Sequence, residues 1–351
     1  FQLNRFQFEG ADVTATLTRS YPLGATAAHV VGYVGGISEK EFHQIEAEQK
    51  GAQYQGLSQI GKIGVEKSHE DELRGTPGAK IVEANAYGRP LRELEYHQGA
   101  PGLNLVLTLD ARVQAVAEEA LGELDGAVVA IDPRNGEVIA LVSKPGFDPQ
   151  PFVSGISRKA YTALLEDRKR PLYNRALQGA YPPGSTIKPF MALSGLVEGE
   201  ITPSDTIYVP GYYQLPNDSR RYRNWLRWGH GKVDMERAIT VSNNTYFYSL
   251  AHELGIDAIS EHMHQFGFGE HVTQDVYGES TGLMPSREWK RERFNQPWYP
   301  GETLILGIGQ GYMQTTPLQL AQATVLMATR GKWIRPHLAK SVDGRRPADP
   351  N

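Results

Sequence analysis

A chain of 351 residues, 40% hydrophobic and 22% charged, is long enough for two domains with packed cores. Its formal net charge is -4 and its basic clusters, Arg168-Lys169-Arg170 and Arg220-Arg221, are short, so nucleic acid is not an expected partner. The absence of cysteine excludes disulfides, a thiol nucleophile, iron–sulfur clusters and Cys-type zinc sites, and leaves the compartment open.

Phe1-Gln2-Leu3-Asn4-Arg5 lacks a charged n-region followed by an apolar h-region. No apolar run approaches the roughly 20 residues of a membrane span. The chain as given is expected to be soluble and to begin as though cut from something longer. Residues 1–104, with short apolar runs such as "AAHVVGYVGG" and turn-like stretches such as "LRGTPGAK" and "AYGRP", read as an irregular α+β module. A second domain is expected over 105–351.

That second domain opens on "LNLVLTLD", whose alternation predicts a strand. Asp110 can then cap a helix with apolar positions at Val113, Val116, Ala117, Ala120, Leu121 and Leu124. "GAVVAIDPRNGEVIALVS" predicts a hairpin turning at Asn135-Gly136, where both residues tolerate positive φ. Further helices are expected in "VDMERAITVSNN", in "TYFYSLAHELG" ending at Gly255, and in "TTPLQLAQATVLMATRG", with Thr316 as cap, Pro317 in the first turn and Gly331 as stop. A hairpin, a long run of helices and no βαβ alternation predict an α+β fold.

The densest backbone restriction lies in "AYPPGSTIKPF". Proline is tolerated only in the first turn of a helix, so Pro189 places a helix start close to Ser185. Residues three apart share a helix face, which lets the Lys188 amine approach the Ser185 oxygen. A serine hydroxyl needs a base to become a nucleophile, and a lysine serves only when burial or neighbouring charge lowers its pKa. A helix N-terminus also offers N–H groups to an oxyanion. The same residues have a structural reading, because serine is a favoured helix cap. In "AITVSNNTYF", Ser242 and Asn244 are a helix-end signal on their own. Paired with Ser185 and Lys188, Ser242 could relay a proton and Asn244 could hold the lysine and a substrate carbonyl.

On these two stretches the chain resembles the penicillin-binding proteins, whose motif set is Ser-x-x-Lys, a Ser-x-Asn type second motif, and Lys-Thr-Gly. "LTLDARVQAVAEEAL" and "GAVVAIDPRNGEVIALVSKPGFDPQPF" are similar to the entry of the transpeptidase domain, and "GIGQGYMQTTPLQLAQA" to the run before the last motif. "RSYPLGATAAHVVGYVG" and "GKIGVEKSHEDELRGTPG" resemble the non-catalytic dimerisation module of class B members. "YRNWLRWGHGKVD" and "REWKRERFNQPWYPGETLILGIGQG" look most like the elongation-type branch of the class B members in rod-shaped Gram-negative bacteria.

The resemblance implies a serine β-lactamase-like transpeptidase fold behind a dimerisation or pedestal domain. It implies a peptidoglycan D,D-transpeptidase acting through a serine acyl-enzyme and acylated by β-lactams, with no cofactor and no metal. Ser185 would be the nucleophile, Lys188 the base, and Ser242 with Asn244 the second motif. The expected setting is the periplasmic part of a bacterial inner-membrane protein. Expected partners are D-Ala-D-Ala stem peptides, a RodA-type SEDS glycosyltransferase and MreC.

No Lys-Thr-Gly or Lys-Ser-Gly occurs in the strand position expected after "GIGQG", and Glu279-Ser280-Thr281-Gly282 sits in what resembles a family loop. The residues given are therefore expected to be part of a larger polypeptide. A β-lactamase or D,D-carboxypeptidase is the first rival, weakened by the missing Glu-x-x-Leu-Asn signature and the extra N-terminal module. A non-catalytic β-lactam sensor or scaffold is the second. His252-Glu253 is not followed by the histidine of a zinc helix, so it and His262, His264 and His271 read as surface or loop residues. "GIGQG" lacks a nucleotide-binding context and reads as tight turns. Trp225 and Trp228 read as groove lining, core packing or helix surface, and are not placed in the site.

Overall fold

The computed structural model describes residues 17–86 and 90–347. The chain divides into two compact units, one of residues up to Gly102 with Phe147–Glu166, the other of Leu103–Gly146 with the residues from Asp167 on.

The first unit has short elements: α1 (Ala28–Val31), β1 (Val34–Gly36), α2 (Glu39–Ala47), β2 (Gln59–Gly61), α3 (Gly64–Ser68) and α4 (Glu70–Arg74). β1 and β2 pair antiparallel with Gly35 opposite Ile60. Ser38 opens α2 through a capping box with Glu41. β3 (Ala79–Ala84) and β4 (Pro90–His97) form a second antiparallel pair. The turn expected at 86–90 falls largely on 87–89, outside the described residues.

In the second unit, β5 (Leu105–Leu107) leads to α5 (Ala111–Leu121), where Asp110 accepts from the Arg112 N–H at 2.9 Å as the cap. β6 (Gly126–Ile131) and β7 (Val138–Lys144) form the expected hairpin with Val128 opposite Val142. Its turn differs from expectation. Only Gly136 takes positive φ, at 81°, and the Asp132 carbonyl closes the loop by accepting from the Gly136 N–H at 2.9 Å. Gln114 of α5 is buried against β7, donating to the Leu141 carbonyl at 3.0 Å and accepting from the Leu141 N–H at 2.9 Å. It satisfies the backbone as a neighbouring strand would.

The chain then returns to the first unit with α6 (Gln150–Val153) and α7 (Arg158–Glu166). Side-chain contacts explain the return: Phe152 stacks on Tyr33 with centroids 4.1 Å apart, and Gln150 accepts from the Tyr21 N–H at 2.8 Å. Nothing in the residue pattern of this stretch announces it.

Back in the second unit, a 3₁₀ turn (Gly184–Ile187) runs into α8 (Lys188–Val197). β8 (Ile207–Val209) pairs with β11 (Gly231–Val233), and β9 (Tyr212–Gln214) with β10 (Arg221–Arg223), all antiparallel. α9 (Met235–Thr240) precedes α10 (Asn244–Gln265), in which Gly255 adopts φ 73° and ψ 167°. The helix stop expected at Gly255 is thus a break between two helical stretches. α11 (Arg287–Phe294), α12 (Pro300–Leu306) and α13 (Pro317–Ala328) follow. Thr316 caps α13 in a capping box with Gln319, as its sequence predicts. β12 (Ala339–Val342) closes antiparallel on β5.

The core of this unit is apolar where α8, α10 and α12 meet. Ile187, Met191, Phe247, Ile259, Met263 and Leu304 are all fully buried, and Phe190 packs edge-on against Phe266 and Phe268. That packing fixes α8, and with it the turn carrying Ser185. The turn is also held from outside: Gly184 donates to the Gly309 carbonyl at 2.8 Å, and Tyr181 and Thr315 exchange N–H···O bonds at 3.0 and 2.9 Å. Gly309 has φ +72°, and a Cβ there would lie 2.1 Å from the Gly184 oxygen. The tight turns read in "GIGQG" are a close backbone approach to the serine turn.

Gly309→Ala is expected to lower stability by about 2 kcal/mol or more in urea unfolding, since both the φ and the contact oppose a methyl group. Unchanged stability would mean that this approach does not hold the turn.

Candidate active site

The restricted backbone of "AYPPGSTIKPF" carries an exposed serine and, three residues on, a buried lysine. Pro183 has φ -67° and Gly184 takes the left-handed φ of 58°, a sequence of conformations that suits proline and then glycine. Thr186 Oγ1 donates back to the Pro183 carbonyl at 2.6 Å. Ser185 is exposed on the resulting 3₁₀ turn, while Lys188 begins α8 only 1% exposed, with Pro189 in the first helical turn.

The Lys188 amine donates to three oxygens: the Ser242 carbonyl at 2.9 Å, Ser242 Oγ at 3.0 Å and Asn244 Oδ1 at 2.7 Å. Its nitrogen stands 5.5 Å from the centroid of the Phe247 ring. None of these groups is a carboxylate. Burial therefore lowers its pKa from 10.5 to about 8, because a dry surrounding penalises the ammonium and no anion offsets the penalty. Ser242 Oγ in turn donates to Ser185 Oγ at 3.0 Å.

Sequence spacing suggested that Lys188 meets Ser185 directly. The structure instead places Ser242 between them, because Ser185 lies in the 3₁₀ turn and the lysine reaches down into the core. All four candidate residues, Ser185, Lys188, Ser242 and Asn244, come together in one continuous hydrogen-bonded chain.

Ser242 occupies left-handed backbone space at φ 49°, which costs a non-glycine residue on the order of 1–2 kcal/mol. Its neighbours hold it there. Ser242 N donates to the Ile239 carbonyl at 3.0 Å and Asn243 N to the Ala238 carbonyl at 2.8 Å. Asn243, fully buried, caps α10 by accepting from the Tyr246 N–H at 2.8 Å. Trp225 Nε1 donates to the Val241 carbonyl at 3.0 Å. Trp225 and Trp228 are both exposed, so the core-packing reading of the pair does not hold.

Other sequence signals resolve as structure. His262 is a correction: it is buried, not on the surface, and its Nε2 lies 2.6 Å from Glu198 Oε1. Glu279 accepts from the Val272 and Thr273 N–H groups at 2.8 and 3.1 Å, and Gln319 Nε2 donates to the Thr281 carbonyl at 2.7 Å, which makes the Glu279–Gly282 stretch a loop tie. Among the described residues no group of three or more His, Cys, Asp or Glu could hold a metal, and no helix is long and apolar enough to cross a membrane. A groove of about 650 Å³ bounded by Tyr222, His252 and Tyr299 lies in the same unit, but Ser185 does not line it. Sequence reasoning missed Asn224, His230 and Asn243, where both asparagine amides meet His230 Nδ1. The available signal was the "GHG" inside "WGHG".

A family model described as the penicillin binding protein transpeptidase domain matches residues 126–351. One described as the penicillin-binding protein dimerisation domain matches residues 1–107. The peptidoglycan D,D-transpeptidase MrdA of Haemophilus influenzae is 44% identical over 344 residues, 98% of this chain and 53% of that protein. MrdA of Acinetobacter baumannii is 47% identical over 343 residues, 98% of this chain and 50% of that protein. The chain therefore spans about half the length of these relatives. The crystal structure of Pseudomonas aeruginosa PBP2 in complex with WCK 5153 matches with TM-score 0.85 and 51% identity, over 97% of this chain and 71% of that one. The complex of PBP2 with MreC from Helicobacter pylori matches with TM-score 0.84 and 36% identity, over 94% and 60%. With both domain models matched in order and relatives of this identity along nearly its whole length, the chain belongs to the penicillin-binding protein transpeptidases that carry an N-terminal dimerisation domain, the group that includes MrdA.

Proposed function

We propose that this chain carries the acylating centre of an elongation-type peptidoglycan D,D-transpeptidase. The observation that carries the reading is the Ser185–Ser242–Lys188 chain ending on a buried amine with no anionic partner. When that amine is neutral, two N–H bonds remain on the Ser242 carbonyl and Asn244 Oδ1, which can only accept. Its lone pair then faces Ser242 Oγ, the one partner that can donate. Ser242 passes its proton to the amine and takes the Ser185 proton in its place. Ser185 Oγ attacks the carbonyl of the D-Ala-D-Ala bond, and the carbon–nitrogen bond breaks. The proton returns through Ser242 to the departing D-Ala amine. An amine of a neighbouring stem peptide then attacks the ester carbonyl and gives up a proton to Lys188, the carbon–oxygen bond to Ser185 breaks, and Ser185 Oγ regains a proton through Ser242, leaving the amide cross-link. The Ser185 N–H, in the first turn of a helical segment, is a ready donor to the oxyanion.

The same reading gives β-lactams as acylating agents of Ser185, and a periplasmic setting on the inner membrane. The relatives' names support peptidoglycan as substrate, and the Helicobacter pylori complex supports MreC as a partner. A RodA-type SEDS glycosyltransferase is proposed as the polymerising partner, from the resemblance to the elongation-type branch.

Incubating the full-length protein with a labelled penicillin and mapping peptides is expected to place a stoichiometric adduct on Ser185, with none in Ser185→Ala. An adduct elsewhere, or none, contradicts the reading. A Ser185 adduct without cross-linking of a pentapeptide stem would indicate a sensor instead.

The acylation rate is expected to rise with pH through a midpoint near 8 and then level, because burial moves the appearance of the neutral amine down from 10.5 to about 8. A rate still rising toward pH 10 would contradict this. Lys188→Ala is expected to slow acylation by about 10²–10⁴-fold with circular dichroism unchanged, and a wild-type rate in that variant would remove the amine from the base role.

A further inference from the structure

We propose that His230 is a positioning residue for the Ser242–Asn244 turn, acting as a shared hydrogen-bond acceptor that locks two asparagine amides in one orientation. The inference rests on the roles proposed for Ser242 as proton relay and for Asn244 as an acceptor that holds the lysine amine.

The two amides have their oxygens committed. Asn243 Oδ1 accepts from the Tyr246 N–H at 2.8 Å and Asn224 Oδ1 accepts from the Asn244 N–H at 3.0 Å. Each therefore turns its NH₂ group outward, and both meet the same atom: His230 Nδ1, 2.8 Å from Asn243 Nδ2 and 3.3 Å from Asn224 Nδ2. An NH₂ nitrogen only donates, so Nδ1 must supply the lone pair and the ring proton belongs on Nε2. Both asparagines are buried, Asn243 fully and Asn224 at 7% exposure, so flipping either amide would leave a buried backbone N–H facing a donor.

The backbone around His230 is built to deliver that atom. Gly229 and Gly231 both take left-handed φ, at 80° and 69°. A Cβ at Gly229 would lie 2.1 Å from the Val209 oxygen, and His230 N donates to that same carbonyl at 3.1 Å. The ring also meets Trp225 at 5.3 Å between centroids, while Trp225 holds the Val241 carbonyl. The two residues flanking Ser242 are thus linked to one imidazole, Val241 by its carbonyl through Trp225 and Asn243 by its side-chain amide. Ser242 keeps its left-handed φ of 49° and aims Oγ at both Ser185 and Lys188 only while those ties persist.

The test uses the full-length protein and a chromogenic β-lactam, separating initial binding from the first-order acylation step. His230→Leu is expected to slow acylation by about 10–100-fold with initial binding within about threefold, since the loss is one of alignment. His230→Asn, whose Oδ1 can take the place of Nδ1, is expected to recover most of that loss. A His230→Leu protein with native circular dichroism that acylates at the wild-type rate would overturn the proposal. So would an Asn variant as slow as the Leu variant. Nitrogen NMR of the wild-type imidazole is expected to find Nδ1 unprotonated and hydrogen-bonded, and a protonated Nδ1 would overturn the proposal whether or not the variants fold. Failure of the wild-type protein to be acylated at Ser185 counts instead against the transpeptidase reading, and leaves the imidazole spectrum to decide the role of His230.

Discussion

The site turns on a lysine amine placed in a dry core with oxygen acceptors and no anion. Moving its pKa from 10.5 to about 8 corresponds to a penalty of about 3 kcal/mol on the charged form. The folded chain therefore releases this proton near pH 8, while the unfolded chain holds it to 10.5, so this group's contribution to stability rises with pH through that window. A carboxylate beside Lys188 would remove the penalty and with it the proposed base. Serine and asparagine oxygens satisfy the N–H groups without doing so.

That requirement reaches outward into the fold. A buried amine needs a rigid helix to carry it, supplied by the packing of α8 against α10 and α12. In the proposed mechanism it also needs a relay, because its hydrogen bonds reach Ser242 and Asn244, and Ser242 in turn bonds the exposed Ser185. Ser242 fills the gap only in a strained left-handed conformation, and strain persists only where its surroundings over-determine it. Asn243, Trp225 and the carbonyls of Ile239 and Ala238 do so on one side. Gly309 and Thr315 hold the opposing serine turn on the other. Two segments far apart in sequence are thus clamped until two hydroxyl oxygens stand 3.0 Å apart.

Much of this was legible in the residues. Pro182, Pro183, Gly184 and Pro189 announce a constrained turn entering a helix, and the apolar run after Lys188 says that the helix is buried. Asp110 and Thr316 capped the helices that their spacing predicts. What stayed hidden depends on tertiary contact. Helical spacing put Lys188 beside Ser185, yet a 3₁₀ turn and a deep side chain route the contact through Ser242. The positive φ of Ser242 has no local signature, since serine rarely adopts it. His262 looked like a surface histidine because its partner, Glu198, caps the end of α8, far away in sequence. The pairing of β5 with β12, and the return of residues 147–166 to the first unit, are long-range events that periodicity cannot encode.

The most direct measurement is an NMR titration of the Lys188 amine in protein labelled at lysine side chains, with the resonance assigned through Lys188→Arg. A midpoint near 8 is expected. A midpoint near 10.5 would mean that the amine is solvated or ion-paired in solution, and the account of a dry, anion-free base would fail.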